Sequence, residues 1–276
     1  MTIGEYYELE ILRQVDFGMY LKSDLGDVLL PIKYIPEGYN VGDFIEVFLH
    51  RDSEDRLLAT TLKPYGKLND FVVLQVKDKA PHGAFLDWGL EKDLFVPVKE
   101  QPYRYDVGDT VVVRICLDYK TDRLLGVGKL KTFFSKDYSE IEEGQEVDLI
   151  IYDESELGYQ AVVDQKYSGL IYKNEVFQPL RIGDELKGYI SKIRDDDKLD
   201  LRLSKVGFES IDENADKILK ALQSGGGQLL LNDKSSPEEI TKLLKMSKKA
   251  FKKAIGNLYK QRKIEIEDSG IKLVND

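Results

Sequence analysis

The sequence is poor in the residues that carry most enzyme chemistry. Its 276 residues include one cysteine, Cys116, and two histidines, His50 and His82. A single thiol excludes an internal disulfide, and between Ile115 and Leu117 it reads as an inert core residue rather than a nucleophile. The histidines lie far apart, with no ligand spacing around them, so no metal site is expected. No nucleophile–base set and no phosphate-cradling glycine loop is visible, so neither an enzyme nor a cofactor is expected. No apolar run reaches the roughly 18 residues of a membrane span, so no membrane partner is expected. The start, Met1-Thr2-Ile3-Gly4-Glu5, has no basic region followed by an apolar one. A secretory signal is therefore not expected, and the expected location is the cytoplasm.

What the chain has instead is a repeat. His82-Gly83-Ala84-Phe85-Leu86 is followed by Val107-Gly108-Asp109. Phe17-Gly18-Met19-Tyr20-Leu21 is followed by Val41-Gly42-Asp43, and Leu157-Gly158-Tyr159-Gln160-Ala161 by Ile182-Gly183-Asp184. From motif glycine to the residue opening the Gly-Asp turn, the gaps in chain order are 23, 24 and 24. From there to a basic residue, Arg56, Arg123 or Lys198, they are 15, 16 and 16. Three units of one architecture account for such spacing.

Within each unit, short period-two or apolar segments alternate with turn residues. In the first they are Tyr7 to Leu12, Gly18 to Leu21, Asp27 to Pro31, Phe44 to Leu49 and Arg56 to Thr60. Five strands in so short a span, with a longer link before the fourth, predict a small five-stranded barrel of the oligonucleotide/oligosaccharide-binding (OB) type. The second unit runs from Phe71 to Val127, and the third from Val147 to Ser204 after a polar connector, Lys131 to Glu146.

After Lys205 the period becomes helical: Ile211, Ala215, Ile218, Leu219 and Leu222 recur on one face, and Gly225-Gly226-Gly227 ends the helix. Ser236-Pro237-Glu238-Glu239 is a capping box opening a helix with Ile240, Leu243 and Leu244. Ser247 caps a third, and Ile264 to Ile266 faces Ile271 to Val274 across Asp268-Ser269-Gly270. Three helices and a hairpin form the layout of a winged helix. The expected class is mainly β and multidomain: three tandem OB-type barrels and a C-terminal α+β winged-helix domain. The expected boundaries are 1–64, 65–131, 132–206 (connector and divergent third repeat) and 207–276. Their net charges are −6, +1, −7 and +2 within an overall −10. A polyanion would dock on the second and fourth parts in preference to the others.

Each repeat resembles the RNA-binding domain named after ribosomal protein S-one. That family shows aromatic-Gly-x-aromatic on its second strand, a Gly-Asp turn before the fourth, and a basic residue leading the fifth. The match rests on His82-Gly83-Ala84-Phe85 with Arg123, and on Phe17-Gly18-Met19-Tyr20 with Arg56. The third repeat keeps the glycines and Lys198 but has Leu157 and Gln160 where the aromatics belong. The histidine frequent on the family's third strand is replaced by Pro31, Pro97 and Tyr172. Three such domains before a winged helix resemble the conserved virulence factor B family of bacteria. That resemblance implies a cytosolic, RNA-binding regulator.

The candidate RNA-binding residues are Phe17, Tyr20, Arg56, His82, Phe85, Trp88 and Arg123. Single-stranded RNA, the expected partner, needs aromatic platforms with cations beside them. His82 and Phe85 are three apart, so on a regular strand they face opposite ways. They converge only if Gly83 allows a bend or bulge. Against this, most aromatics in small barrels are core, and Trp88 reads equally as a platform or as a lid on the barrel end. In the third helix of the winged helix, Lys248, Lys249, Lys252, Lys253 and Lys260 fall within about 140° of the helical wheel, opposite Phe251, Ala254, Ile255 and Leu258. The stripe suits phosphate contact rather than base reading, and a solubilising face is its plainer meaning. Two rival functions stay open: a DNA-binding transcription regulator using the winged helix, and a protein-interaction scaffold built on the acidic repeats.

Overall fold

In the computed structural model the repeats share one strand order, set by apolar residues alternating with polar ones on short strands. The structure describes residues 1–52, 54–176, 179–203 and 208–274, side chains of 208–213 excepted. Ser204, expected to end a strand, and the Ile211 side chain lie outside the described residues. The first repeat comprises β1 (Tyr6–Val15), β2 (Gly18–Leu21), β3 (Val28–Pro31), β4 (Phe44–Arg51) and β5 (Leu57–Thr60). The second has β6 (Phe71–Ala80), β7 (Gly83–Asp87), β8 (Leu94–Pro97), β9 (Thr110–Asp118) and β10 (Arg123–Val127). The third has β11 (Glu146–Glu154), β12 (Gly158–Val163), β13 (Tyr167–Tyr172), β14 (Glu185–Arg194) and β15 (Lys198–Arg202).

The first and third repeats are closed barrels, ordered β1-β2-β3-β5-β4 and β11-β12-β13-β15-β14, closed by parallel pairing of third and fifth strands. The second keeps the same order, β10-β9-β6-β7-β8, but is a five-stranded sheet without that last ladder. Of the three expected OB-type barrels, two are thus closed, and the second is a five-stranded sheet of the same order. Its seam is filled by side chains: a Cβ on Gly126 of β10 would lie 2.7 Å from Val96 and 3.3 Å from Leu94 of β8.

The first strand of the first repeat outruns its expected end, Leu12, by three residues, and β6 and β11 run on past the same point. The cause is a bulge, located between Ile11 and Arg13, Val76 and Asp78, and Ile151 and Asp153. An extra residue there breaks the period-two pattern, so the continuation is hidden in the sequence. It also increases the local twist. The bulge expected at Gly83 is therefore on the partner strand; Gly83 itself pairs in regular register with Pro97 and Ala80.

Two compact units emerge, Met1–Phe134 and Ser135–Asp276. In the first unit the two repeats are interlocked. Phe48 of β4 is fully buried in the hydrophobic cluster of the second repeat, 5.9 Å edge-on from Trp88 and 5.1 Å from Tyr6. A backbone bond also joins the two repeats: Leu68 N–H donates to Gly4 O at 2.8 Å. Cys116 is half-buried rather than core, and burial pushes its thiol pKa up, which disfavours the thiolate.

In the second unit, beyond the third barrel, α1 (Phe208–Ser224), β16 (Gln228–Leu229), α2 (Pro237–Leu244), α3 (Lys248–Lys260), β17 (Ile264–Glu267) and β18 (Gly270–Leu273) form the winged helix. The capping box is in place: Glu239 N–H donates to Ser236 Oγ, and Ser236 N–H to Glu239 Oε2 at 2.9 Å. Ile218, Leu222, Ile240, Phe251, Ile255 and Leu258 are buried together. Leu243, grouped with Ile240 by its spacing, is exposed instead. Strand β16 adds to the hairpin as a third strand, order β16-β18-β17.

Replacing Phe48 by alanine is expected to cost about 3–5 kcal/mol, the range for a buried aromatic. Because Phe48 touches Trp88, urea unfolding followed by the fluorescence of this single tryptophan reports it directly. An unchanged midpoint would refute the joint.

Candidate nucleic-acid interface

The second repeat gathers three rings on its outer face. Strands β7 and β8 pair Phe85 with Phe95 and Gly83 with Pro97. Ala84, Leu86, Leu94 and Val96 point inward and are buried, so Gly83, Phe85, Phe95 and Pro97 face outward. Phe95 lies 5.2 Å from Phe85 and 5.4 Å from His82, centroid to centroid. A Cβ on Gly83 would meet the Phe95 ring at 2.3 Å, so the missing side chain makes room for that ring. Convergence of His82 and Phe85 thus comes from a third ring lying over the glycine. Phe95 was missed from the sequence; its signal was an aromatic at the outward position between Leu94 and Val96.

These rings line a hollow of about 460 Å³ with residues of both repeats: His50 and Arg51 from the first, and Trp88, Lys92, Asp118 and Arg123 from the second among others. His50 also had no signal in the sequence. Burial lowers its pKa, which keeps its ring neutral near neutral pH. Lys92 is likewise lowered by burial, and donates to Asp52 O at 2.7 Å. Arg51 is held by Asp122, at 3.2 Å to its carbonyl and 3.3 Å to its carboxylate, and by the Asp55 carbonyl at 2.6 Å.

Arg123 is gripped by the Asp55 carboxylate of the first repeat through both Nε, at 2.5 Å, and the guanidinium NH2 group. That hydrogen bond holds the Asp55 carboxyl below the usual carboxylate range. Trp88 is corrected as a platform: it is 4% exposed, and its indole N–H donates to Lys92 O at 2.6 Å. A ring buried against Phe48 offers no face for a base.

The first repeat brings Phe17, Tyr20 and Arg56 to one hollow with Leu29 and Pro31. Phe17 is exposed. Arg13 stacks on Tyr20, 4.2 Å from its centroid, and pairs with Asp27 at 2.6 Å. Leu29 stands where Phe95 stands in the second repeat, so no third ring is present. Gly18 again permits close approach, since a Cβ would lie 2.2 Å from Leu30 O. Arg56 is bound by Asp52 at 2.7 Å and Glu54 at 3.0 Å. In the third repeat Leu157 is exposed, Gln160 faces Leu170, and Lys198 pairs with Asp196 at 2.6 Å.

On α3, Phe251, Ala254, Ile255 and Leu258 are buried while Lys249, Lys252, Lys253 and Lys260 are exposed. Among the described residues none of these four makes an ion pair. Lys248 is half-buried and reaches Lys234 O at 3.5 Å. No helix is long and apolar enough to cross a membrane among the described residues.

The fold and these surfaces define a multidomain protein of OB-type repeats and a winged helix, and the matches give the first repeat and the winged helix their class. Residues 3–62 match the S1 domain model, and residues 216–273 that of the CvfB-like winged helix domain. The chain resembles conserved virulence factor B over most of its length. With the protein of that name from Staphylococcus aureus (strain USA300) it is 26% identical over 240 residues, covering 84% of this chain and 80% of the relative. With the uncharacterized protein YitL of Bacillus subtilis it is 27% identical over 276 residues, covering 97% and 92%. A solved multidomain protein with nucleic acid binding domains from Streptococcus pneumoniae shares 27% identity over 99% of this chain and 98% of that one, with a TM-score of 0.47.

The lowered Asp55 pKa sets a pH dependence. The Asp55–Arg123 contribution to stability is complete above the ordinary carboxylate pKa of about 4 and is lost as pH falls through the lowered value. Carboxyl-carbon NMR should show Asp55 titrating below its ordinary range. Arg123→Ala should return it there; an unmoved titration would refute the pair.

Proposed function

We propose that this is a non-catalytic, cytoplasmic RNA-binding regulator that holds single-stranded RNA on its OB-type repeats. The observation that carries the reading is the His82–Phe95–Phe85 cluster beside Arg51, Lys92 and Arg123 in one hollow. Bases stack on flat rings whatever their sequence, and the cations meet the backbone phosphates. Duplex DNA keeps its bases stacked on each other and offers such rings nothing to grip. The first repeat adds Phe17, Tyr20 and Arg56 as a weaker platform, having two rings and an acidic surround. The third repeat, with neither aromatic, serves as a spacer or protein contact. The division at residues 64, 131 and 206 is part of this reading.

The winged helix adds phosphate contacts through Lys248, Lys249, Lys252, Lys253 and Lys260. Among the described residues the exposed lysines of α3 have no carboxylate partner, which favours that role, since none must first be displaced. The same stripe supports the second reading, a DNA-binding regulator. Competition between the two polymers separates the readings.

Single-stranded RNA should outcompete duplex DNA of equal length at the same salt. Equal or tighter duplex binding would favour the DNA reading. Phe85→Ala should weaken RNA binding by about 1–3 kcal/mol, the range for one lost stack, with little change in melting temperature. A mutant that melts far lower yet binds normally in the cold makes Phe85 a packing residue. Lys249→Ala, Lys252→Ala and Lys253→Ala together should lower the salt slope of binding by about 0.7 for each phosphate no longer neutralised. An unchanged slope would assign the stripe to solubility alone.

A further inference from the structure

In all three repeats the basic residue at or near the start of the fifth strand is already neutralised. Arg56 is paired by Asp52 and Glu54, and Lys198 by Asp196, each within its own repeat. Arg123 is the exception among the described residues, because its carboxylate, Asp55, comes from the neighbouring repeat. Both side chains remain about half exposed, 49% and 45%, so solvent and ligand can reach the pair.

The contact is two-pronged. Asp55 Oδ1 accepts from Arg123 Nε and Oδ2 from its NH2 group. A guanidinium fork accepts a carboxylate or a phosphate in the same bidentate geometry. Arg123 lines the hollow that also holds His82, Phe85 and Phe95. The carboxylate therefore sits on the cation that a backbone phosphate would take when a base stacks on the rings. The backbone that carries it is fixed separately: the Asp55 carbonyl accepts from Arg51 at 2.6 Å, and Asp55 N–H donates to Asp52 O at 3.2 Å. Asp55 also has φ of 63°, in the left-handed region.

Resting on the RNA-binding reading above, we propose that Asp55 stands in for an RNA phosphate on Arg123. RNA then binds the second repeat by exchanging that carboxylate for a phosphate. Asp55 of the first repeat is thereby an affinity-setting residue for the second. The exchange lowers affinity for any polyanion that lacks bases to stack, because only the stacking energy offsets the broken ion pair.

The test is equilibrium binding of a labelled single-stranded oligouridylate to the full chain at fixed salt. The proteins are wild type, Asp55→Asn, Arg123→Ala and the double mutant, each with its melting temperature measured. Asparagine tolerates the left-handed conformation and keeps the shape while removing the charge. Asp55→Asn should tighten binding about two- to fivefold, the scale of one exposed ion pair. The gain should vanish when Arg123 is alanine. If Asp55→Asn loosens the joint and melts lower, Asp55→Gly is the second variant, since glycine takes this backbone conformation without strain. Wild-type binding with no tightening in either variant overturns the proposal and leaves the RNA reading standing. A gain that persists without Arg123 overturns it too. Failure of wild type and both variants to bind the oligouridylate overturns the RNA reading, and the proposal with it.

Discussion

The burial of Phe48 against Trp88 is the constraint on which the first unit depends. One ring from the first repeat completes the core of the second. The same joint sets β4 and its following turn beside the outer face of β7 and β8. His50 and Arg51 thereby reach the hollow that the aromatic cluster lines. A lone second repeat would present the rings without the wall opposite them.

Three rings can share the outer face because two backbone devices act together. The bulge in β6 sets Asp78 opposite Phe85, and Gly83 leaves a place for Phe95 where any side chain would collide. The first repeat has the same bulge and the same glycine, but Leu29 in place of Phe95. The third has the bulge and the glycine without either motif aromatic. A common scaffold thus carries three surfaces with different numbers of outward rings, and the differences reside in outward positions that the core does not constrain.

Charge follows a similar logic. Whole-repeat charge favours the second repeat and the winged helix over the acidic first and third repeats, but counting charges does not say which cations are free. Arg56, Arg123 and Lys198 are all held by carboxylates, whereas among the described residues the exposed lysines of α3 are not. An exposed pair gains little net energy, so such pairing adds little to the stability of the fold.

The sequence by itself determined the repeat, the five strands of each unit, the winged helix and its caps. Those features rest on local rules: alternation on a strand, glycine and aspartate at turns, serine and glutamate at a helix start. It also singled out Phe17 with Tyr20 and His82 with Phe85, which the structure brings to one hollow in each repeat. Only the tertiary structure decided that Trp88 is buried, that Phe95 joins the cluster, that His50 faces it, and that Asp55 holds Arg123. Each of these depends on which residue lies opposite, and the partner is 68 residues away for Arg123. It lies 40 residues away, across the joint, for Trp88 with Phe48. Local periodicity carries no information about such pairs, because the packing of one repeat against the next selects them.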